Sequence, residues 1–172
     1  MRLDRKLRQL NEKRVVWLNR IQAMCPDKLV AKPRAGKWSI LEIVEHLVVS
    51  ERVVFQGMPH PSLLVERPRR PEHHFRYLLV EFLLRSGIPV RMPSPALAPK
   101  GGRSLSELRQ LWDENQEWLL TYVSQLDSKG LQRVVFEHPA AGPLTLGQAV
   151  SLNQSHIHRH VRQAEALYRL LA

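Results

Sequence analysis

Three histidines crowd the middle of the last stretch of the chain, LTLGQAVSLNQSHIHRHVRQAEALYRLLA at residues 144–172. The stretch reads as one long amphipathic helix. With His156 set at zero on a wheel of about 100° per residue, apolar residues from Leu146 and Ala149 to Leu167 and Leu171 fill an arc centred near about 80°. His160 falls inside that arc at about 40°, and His156 at its edge. His158 falls at about 200°, among Arg159, Arg162, Glu165 and Arg169, and is expected in solvent. His156 and His160 are therefore an inward i, i+4 pair, the spacing that lets two imidazoles reach one metal ion. Such a pair can equally be structural and merely hydrogen-bonded. A buried imidazole nitrogen without a partner costs about 1–3 kcal/mol, so two of them demand something polar opposite. A third inward histidine from another helix, His46, would turn that demand into a site.

The elements that must position these residues follow from periodicity and breakers. Apolar spacing over residues 2–24 predicts a first helix, closed at Pro26, and DKLVAKPRAGKW reads as a connection. Ser39-Ile-Leu-Glu42 is a capping box that opens a second helix over 39–57. His46 lies at the edge of its apolar arc. Glu51 projects toward the same side, as a candidate to pair with an arginine or to orient a ligand from behind. It is the one inward carboxylate nominated near the histidines, although about 140° around the helix from His46. Residues 58–103 form a long proline-broken connection holding one extra short helix near 73–86, with prolines at 89, 93, 95 and 99 barring its continuation. His60, His73 and His74 sit in or beside it and are assigned no metal role. Capping boxes at Ser104–Glu107 and Thr145–Gln148 open helices over 104–127 and 145–171, separated by a short extended piece and a turn. The fold class is all-α, a helical bundle forming one domain over 1–172.

Composition narrows the function further. The net charge of +10 raises nucleic acid as a partner. Its excess is confined to residues 1–37, with 11 Lys/Arg against 3 Asp/Glu, and residues 61–103, with 8 against 3. No helix-turn-helix, zinc-finger or RNP pattern accompanies it, so a solvated face is expected and not specific recognition. No apolar run approaches the roughly 18–20 residues of a membrane span, and no signal peptide is legible. Cys25 is the only cysteine, which excludes an internal disulfide and suits the cytoplasm. Nothing in the sequence pairs it with a base, so it is no candidate nucleophile.

Trp38-Ser39-Ile40 with Glu45-His46-Leu47, then His-Pro-x-x-Gly-x-Leu-Thr at 138–145, then His156-x-x-x-His160 with Gln163, resembles the DinB/YfiT-like superfamily. The resemblance runs through nearly the whole chain. It implies an up-down-down-up four-helix bundle and a divalent metal, nickel, zinc or iron, held by His46, His156 and His160. Three neutral imidazoles leave coordination positions open, as in catalytic and not closed structural sites. The activity so implied is a metal-dependent enzyme acting on a small molecule, either a transferase using a low-molecular-weight thiol or a hydrolase. The alternative is a noncatalytic, metal-containing bundle that binds a small molecule or a partner. Related proteins also suggest a homodimer.

Overall fold

The computed structural model describes residues 2–68, 70–88 and 95–171. The prolines expected to break the chain at 89 and 93 lie outside these residues. Six helices and one small hairpin make up the described chain: α1 (Arg2–Gln22), α2 (Pro26–Val30), α3 (Ile40–Gln56), α4 (Pro71–Ser86), α5 (Leu105–Ser124), β1 (Val134–His138), β2 (Gly142–Thr145) and α6 (Leu146–Leu170). The architecture is all-α, a four-helix bundle of α1, α3, α5 and α6.

Side-chain pairings fix how the four run. Lys6 of α1 bonds the Gly147 carbonyl and Ser151 at the start of α6, and Arg20 pairs with Glu165 near its end, so these helices are parallel. Helices α3 and α5 are parallel too, because Asn115 donates to the Val48 carbonyl and, further along, Tyr122 donates to that of Pro59. Arg14 meets Asp113 while Arg109 reaches Asn19 and Gln22, which makes α1 and α5 antiparallel. Glu51 faces Asn153 while His46 faces His156, so α3 and α6 are antiparallel as well. The topology is up-down-down-up. Because α3 and α5 run the same way, the chain between them must travel back along the bundle, and that return is the long connection carrying α4.

The helix starts are those written in the capping boxes. Ser39 Oγ accepts from Glu42 N at 3.2 Å while Ser39 N donates to Glu42 Oε2 at 2.8 Å, and Ser104 and Glu107 repeat the exchange. At the third box Thr145 N donates to Gln148 Oε1 at 3.1 Å. Each exchange satisfies backbone N–H groups that the first turn leaves without partners. The core lies between the four long helices, with Leu10, Leu18 and Ile21 of α1, Ile43 and Leu47 of α3, Leu108 and Leu119 of α5, and Leu152 and Ile157 of α6 all buried. Trp17 and Trp112 meet edge-to-face at its centre, ring centroids 6.1 Å apart.

Two local expectations are corrected. Pro26 does more than close α1: it opens α2, since its fixed φ and missing N–H suit a first helical position. The last helix begins where its capping box places it, with Thr145 as N-cap and Leu146 as first residue, while Leu144 belongs to β2. The extended piece at 134–138 pairs antiparallel with 142–145, His138 opposite Gly142, and Gly142 takes φ +76° where the chain leaves the turn. Main-chain hydrogen bonding across a turn is not visible in side-chain periodicity, which is why one strand was legible only as an extended segment.

Candidate metal centre

His46 stands in the second turn of α3, and His156 and His160 stand one turn apart midway along α6. The antiparallel crossing of these helices brings the three rings together. Ring centroids are 5.2 Å apart for His46 and His156, 4.8 Å for His46 and His160, and 4.7 Å for His156 and His160. One nitrogen from each ring lies within 4.8 Å of the other two. His46 Nε2 and His156 Nε2 are 3.3 Å apart. Two nitrogens each about 2.0–2.1 Å from a tetrahedral zinc ion would stand about 3.4 Å apart, so this pair already has ligand spacing. His158 is exposed on the opposite face of α6. His60, His73 and His74 are not part of the cluster. His60 and His73 instead accept backbone N–H bonds from Ser62 and Arg70.

The other ring nitrogens are held in place. His46 Nδ1 donates to the Leu97 carbonyl at 2.7 Å, a bond supplied by the connection between α4 and α5. His160 Nδ1 donates to Gln163 Oε1 at 2.9 Å, one turn further along α6. In a neutral imidazole a proton on Nδ1 leaves a lone pair on Nε2. Two of the three Nε2 atoms therefore present lone pairs to the same space, and only His156 could answer with a proton. One proton cannot satisfy two converging acceptors, whereas one cation satisfies all three rings. The donor set fits a divalent metal.

Electrostatics keep the rings neutral. Burial pushes the His160 pKa down to about 4, with the nearby His46 ring adding to the effect. Burial also lowers His46, against the raising influence of its bond to Leu97. His156 lies well below the usual range through burial and then through His160 and His46, with Arg159 and His138 contributing. Neutral imidazoles are the form that ligates.

Glu51 is buried, but its hydrogen bonds go elsewhere. Oε1 accepts from Asn153 at 2.6 Å, and Oε2 accepts from Trp112 at 2.8 Å and Gln116 at 3.4 Å. Nor is Glu51 alone among inward carboxylates. Glu45, 2 % exposed, accepts from the Gly101 N–H at 2.8 Å and from Arg103 at 3.1 Å. It stands beside His46 in the chain and ties the end of the long connection to α3.

Several surrounding residues have contacts that the sequence did not assign; Trp38, His138 and Gln163 stood there only as parts of the family motifs. The Trp38 ring packs against His46 at 4.8 Å and closes one side of the cluster. His138 Nδ1 accepts the N–H groups of Ala140 and Ala141 at 3.1 and 2.9 Å, so its proton rides on Nε2. Burial and the charge of Arg76 lower its pKa. The i, i+3 spacing of His160 and Gln163 was a readable signal for their bond. The Leu97 carbonyl left none, because it arrives through a connection with no periodicity.

The model of the DinB superfamily matches residues 9–164, most of the chain. The chain belongs to the DinB superfamily. Over 158 residues it is 25% identical to the uncharacterized protein YuaE of Bacillus subtilis (strain 168), a match spanning 91% of this chain and 93% of YuaE. Its fold is similar to that of YfiT from Bacillus subtilis, at a TM-score of 0.60 and 20% identity, covering 98% of this chain and 87% of YfiT. YfiT is described as a probable metal-dependent hydrolase with an unusual four-helix bundle topology. TT2238, described as a four-helix bundle protein, matches at a TM-score of 0.58 and 22% identity over 95% of this chain and 98% of its own. Among the described residues no helix is long and apolar enough to cross a membrane.

Proposed function

We propose that this DinB-superfamily protein binds one divalent metal ion, nickel, zinc or iron, through Nε2 of His46, His156 and His160, and acts as a metal-dependent enzyme on a small molecule. The observation that carries the reading is the pair of imidazole lone pairs, fixed by Leu97 and Gln163, that converge with a third ring on one point. Bound there, the metal would supply Lewis-acid activation of a water or a thiol through its open positions. The chain's own residues hold that chemistry in place: Leu97 and Gln163 fix the ligating tautomers, and Trp38 shields the rings of His46 and His160. Hydrolysis is the first choice of reaction, supported by the description of YfiT, with thiol transfer as the second. A free, exposed Cys25 suits a cytoplasmic setting.

A noncatalytic metal protein is the competing reading. It is favoured by one observation: Glu45 and Glu51 direct their hydrogen bonds away from the rings, so neither stands ready as a general base. Metal analysis of the purified protein decides the first point. Wild type should carry or take up about one equivalent of zinc or nickel, His160→Ala should lose it, and His158→Ala should keep it. Equal metal content in all three would overturn the site.

We also propose that α4 pairs with its copy in a homodimer. Phe75, Leu78, Leu79 and Phe82 form one stripe at i, i+3, i+4 and i+7, and all four are exposed. An antiparallel α4 pair centred between Leu78 and Leu79 would set Phe75 against Phe82, and Glu72 against Arg85, of the second copy.

A further inference from the structure

Residues 95–103, which lead into α5, contain a short 3₁₀ turn at Pro95–Leu97 and are otherwise irregular. Backbone without a helix or strand ladder has no internal bonds to set where its carbonyls stand. Here side chains of α3 help to set it. The Leu97 carbonyl accepts from His46 Nδ1 at 2.7 Å, the Gly101 N–H donates to Glu45 Oε2 at 2.8 Å, and Arg103 Nη1 donates to Glu45 Oε1 at 3.1 Å. Glu45 and His46 are consecutive, so their side chains leave α3 about 100° apart and meet the connection at two places. Gly101 takes φ +77° and Gly102 φ +82°, left-handed values at the bend where the connection meets the carboxylate.

The Glu45 side chain is 2 % exposed, against 41 % for Arg103. Replacing a buried ion pair by apolar groups is often neutral or stabilising, so stability alone is a poor reason for a carboxylate there. A better reason lies beside it. His46 Nδ1 has two groups close by, the Leu97 carbonyl at 2.7 Å and Ser50 Oγ at 3.5 Å. A carbonyl can only accept, so it keeps the proton on Nδ1, whereas a hydroxyl can accept or donate. Without the carbonyl, Ser50 is free to donate to Nδ1, and the ring proton then sits on Nε2. His156 Nε2, 3.3 Å away, would accept that proton, and two of the three rings would be bonded to each other.

We propose that Glu45 is a positioning residue of the metal centre: by holding Gly101 and Arg103 it keeps the Leu97 carbonyl on His46 Nδ1, and so keeps His46 Nε2 free of a proton and ready to ligate. Its effect on metal rests on the metal reading of the cluster; its control of the His46 ring does not. Glu45 touches neither ion nor substrate and acts through the connection and one backbone carbonyl. Both of its oxygens are engaged by that task, which is why a buried carboxylate next to a ligand in the chain is no general base. A partner that fixes the ligating tautomer raises metal affinity without joining the coordination shell.

The test follows the His46 ring by nitrogen NMR in metal-free protein above neutral pH, and zinc affinity by competition with a chelating indicator on the same preparations. Wild type should hold the His46 proton on Nδ1. Glu45→Ala should move it toward Nε2 and weaken zinc binding about tenfold or more. Arg103→Ala removes one arm of the clamp, leaves the buried carboxylate and its Gly101 bond in place, and should show both changes to a smaller degree. It decides the matter if Glu45→Ala does not fold. Arg52→Ala cuts an ion pair between α3 and Glu114 and should change neither reading. Ring signals unmoved in every folded Glu45 or Arg103 variant overturn the proposal. Zinc affinity lost with the ring signals unmoved also overturns it, because that is what a merely structural role would give. Equal changes in Arg52→Ala would do the same. Wild type that takes up no zinc refutes the metal reading, while the ring signals of that metal-free protein still decide whether Glu45 directs His46. Zinc-binding protein indifferent to both clamp variants refutes the role of Glu45 and leaves the metal reading standing.

Discussion

Replacing Glu51 by glutamine should make the protein more stable above neutral pH and change it little in acid. Glu51 lies between α3, α5 and α6 with three hydrogen-bond donors on its oxygens and the charge of Arg14 nearby. These partners favour the carboxylate, but burial outweighs them and raises its pKa from 4.5 to about 7. The folded state therefore holds a proton that the unfolded chain has released, so the contribution is fully present below pH 4.5 and is lost as pH rises through about 7. At about 1.4 kcal/mol per pH unit, the loss amounts to roughly 3 kcal/mol. Glutamine cannot ionise, and its oxygen can still accept from Trp112 while Asn153 turns its own oxygen toward the new amide. Urea unfolding of wild type and Glu51→Gln at pH 5 and pH 8, both stripped of metal, isolates the effect, because every other titrating group is common to the two. The variant should gain roughly 2–3 kcal/mol on wild type between the two pH values. Parallel stabilities at both would show that Glu51 is ionised in the fold and that its three donors outweigh burial.

The depressed His160 acts in the opposite sense. Its contribution is present above its unfolded value of 6.5 and is lost as pH falls through about 4, so His160→Gln should flatten the acid limb of a stability-pH profile measured without metal. Ser39→Ala should cost about 1 kcal/mol in chemical unfolding by breaking the capping box of the helix that carries His46, and Ser39→Asp should restore most of it. Phe82→Glu should convert the expected dimer to a monomer by analytical ultracentrifugation, whereas a monomeric wild type would remove the α4 interface.

The number, kind and starting points of the bundle helices were legible in the chain itself. The reason is that they depend on local physics: capping boxes at Ser39, Ser104 and Thr145 satisfy backbone groups within a few residues, and a 3.6-residue period marks each buried face. The same local rule separated His156 and His160 from His158, since angular position on one helix needs no knowledge of its neighbours. Tertiary structure decided what lies opposite. The crossing of α3 on α6 brought His46 to the pair from 110 residues away. The Leu97 carbonyl and Trp38 reached the cluster through irregular segments, where no periodicity announces direction. Glu51 looked inward on the wheel, and it is; but only the packing of α5 and α6 determined that Trp112, Gln116 and Asn153, and not the histidines, donate hydrogen bonds to it. A helical wheel fixes the direction of a side chain, while its chemistry belongs to the groups that other helices bring within about 3 Å.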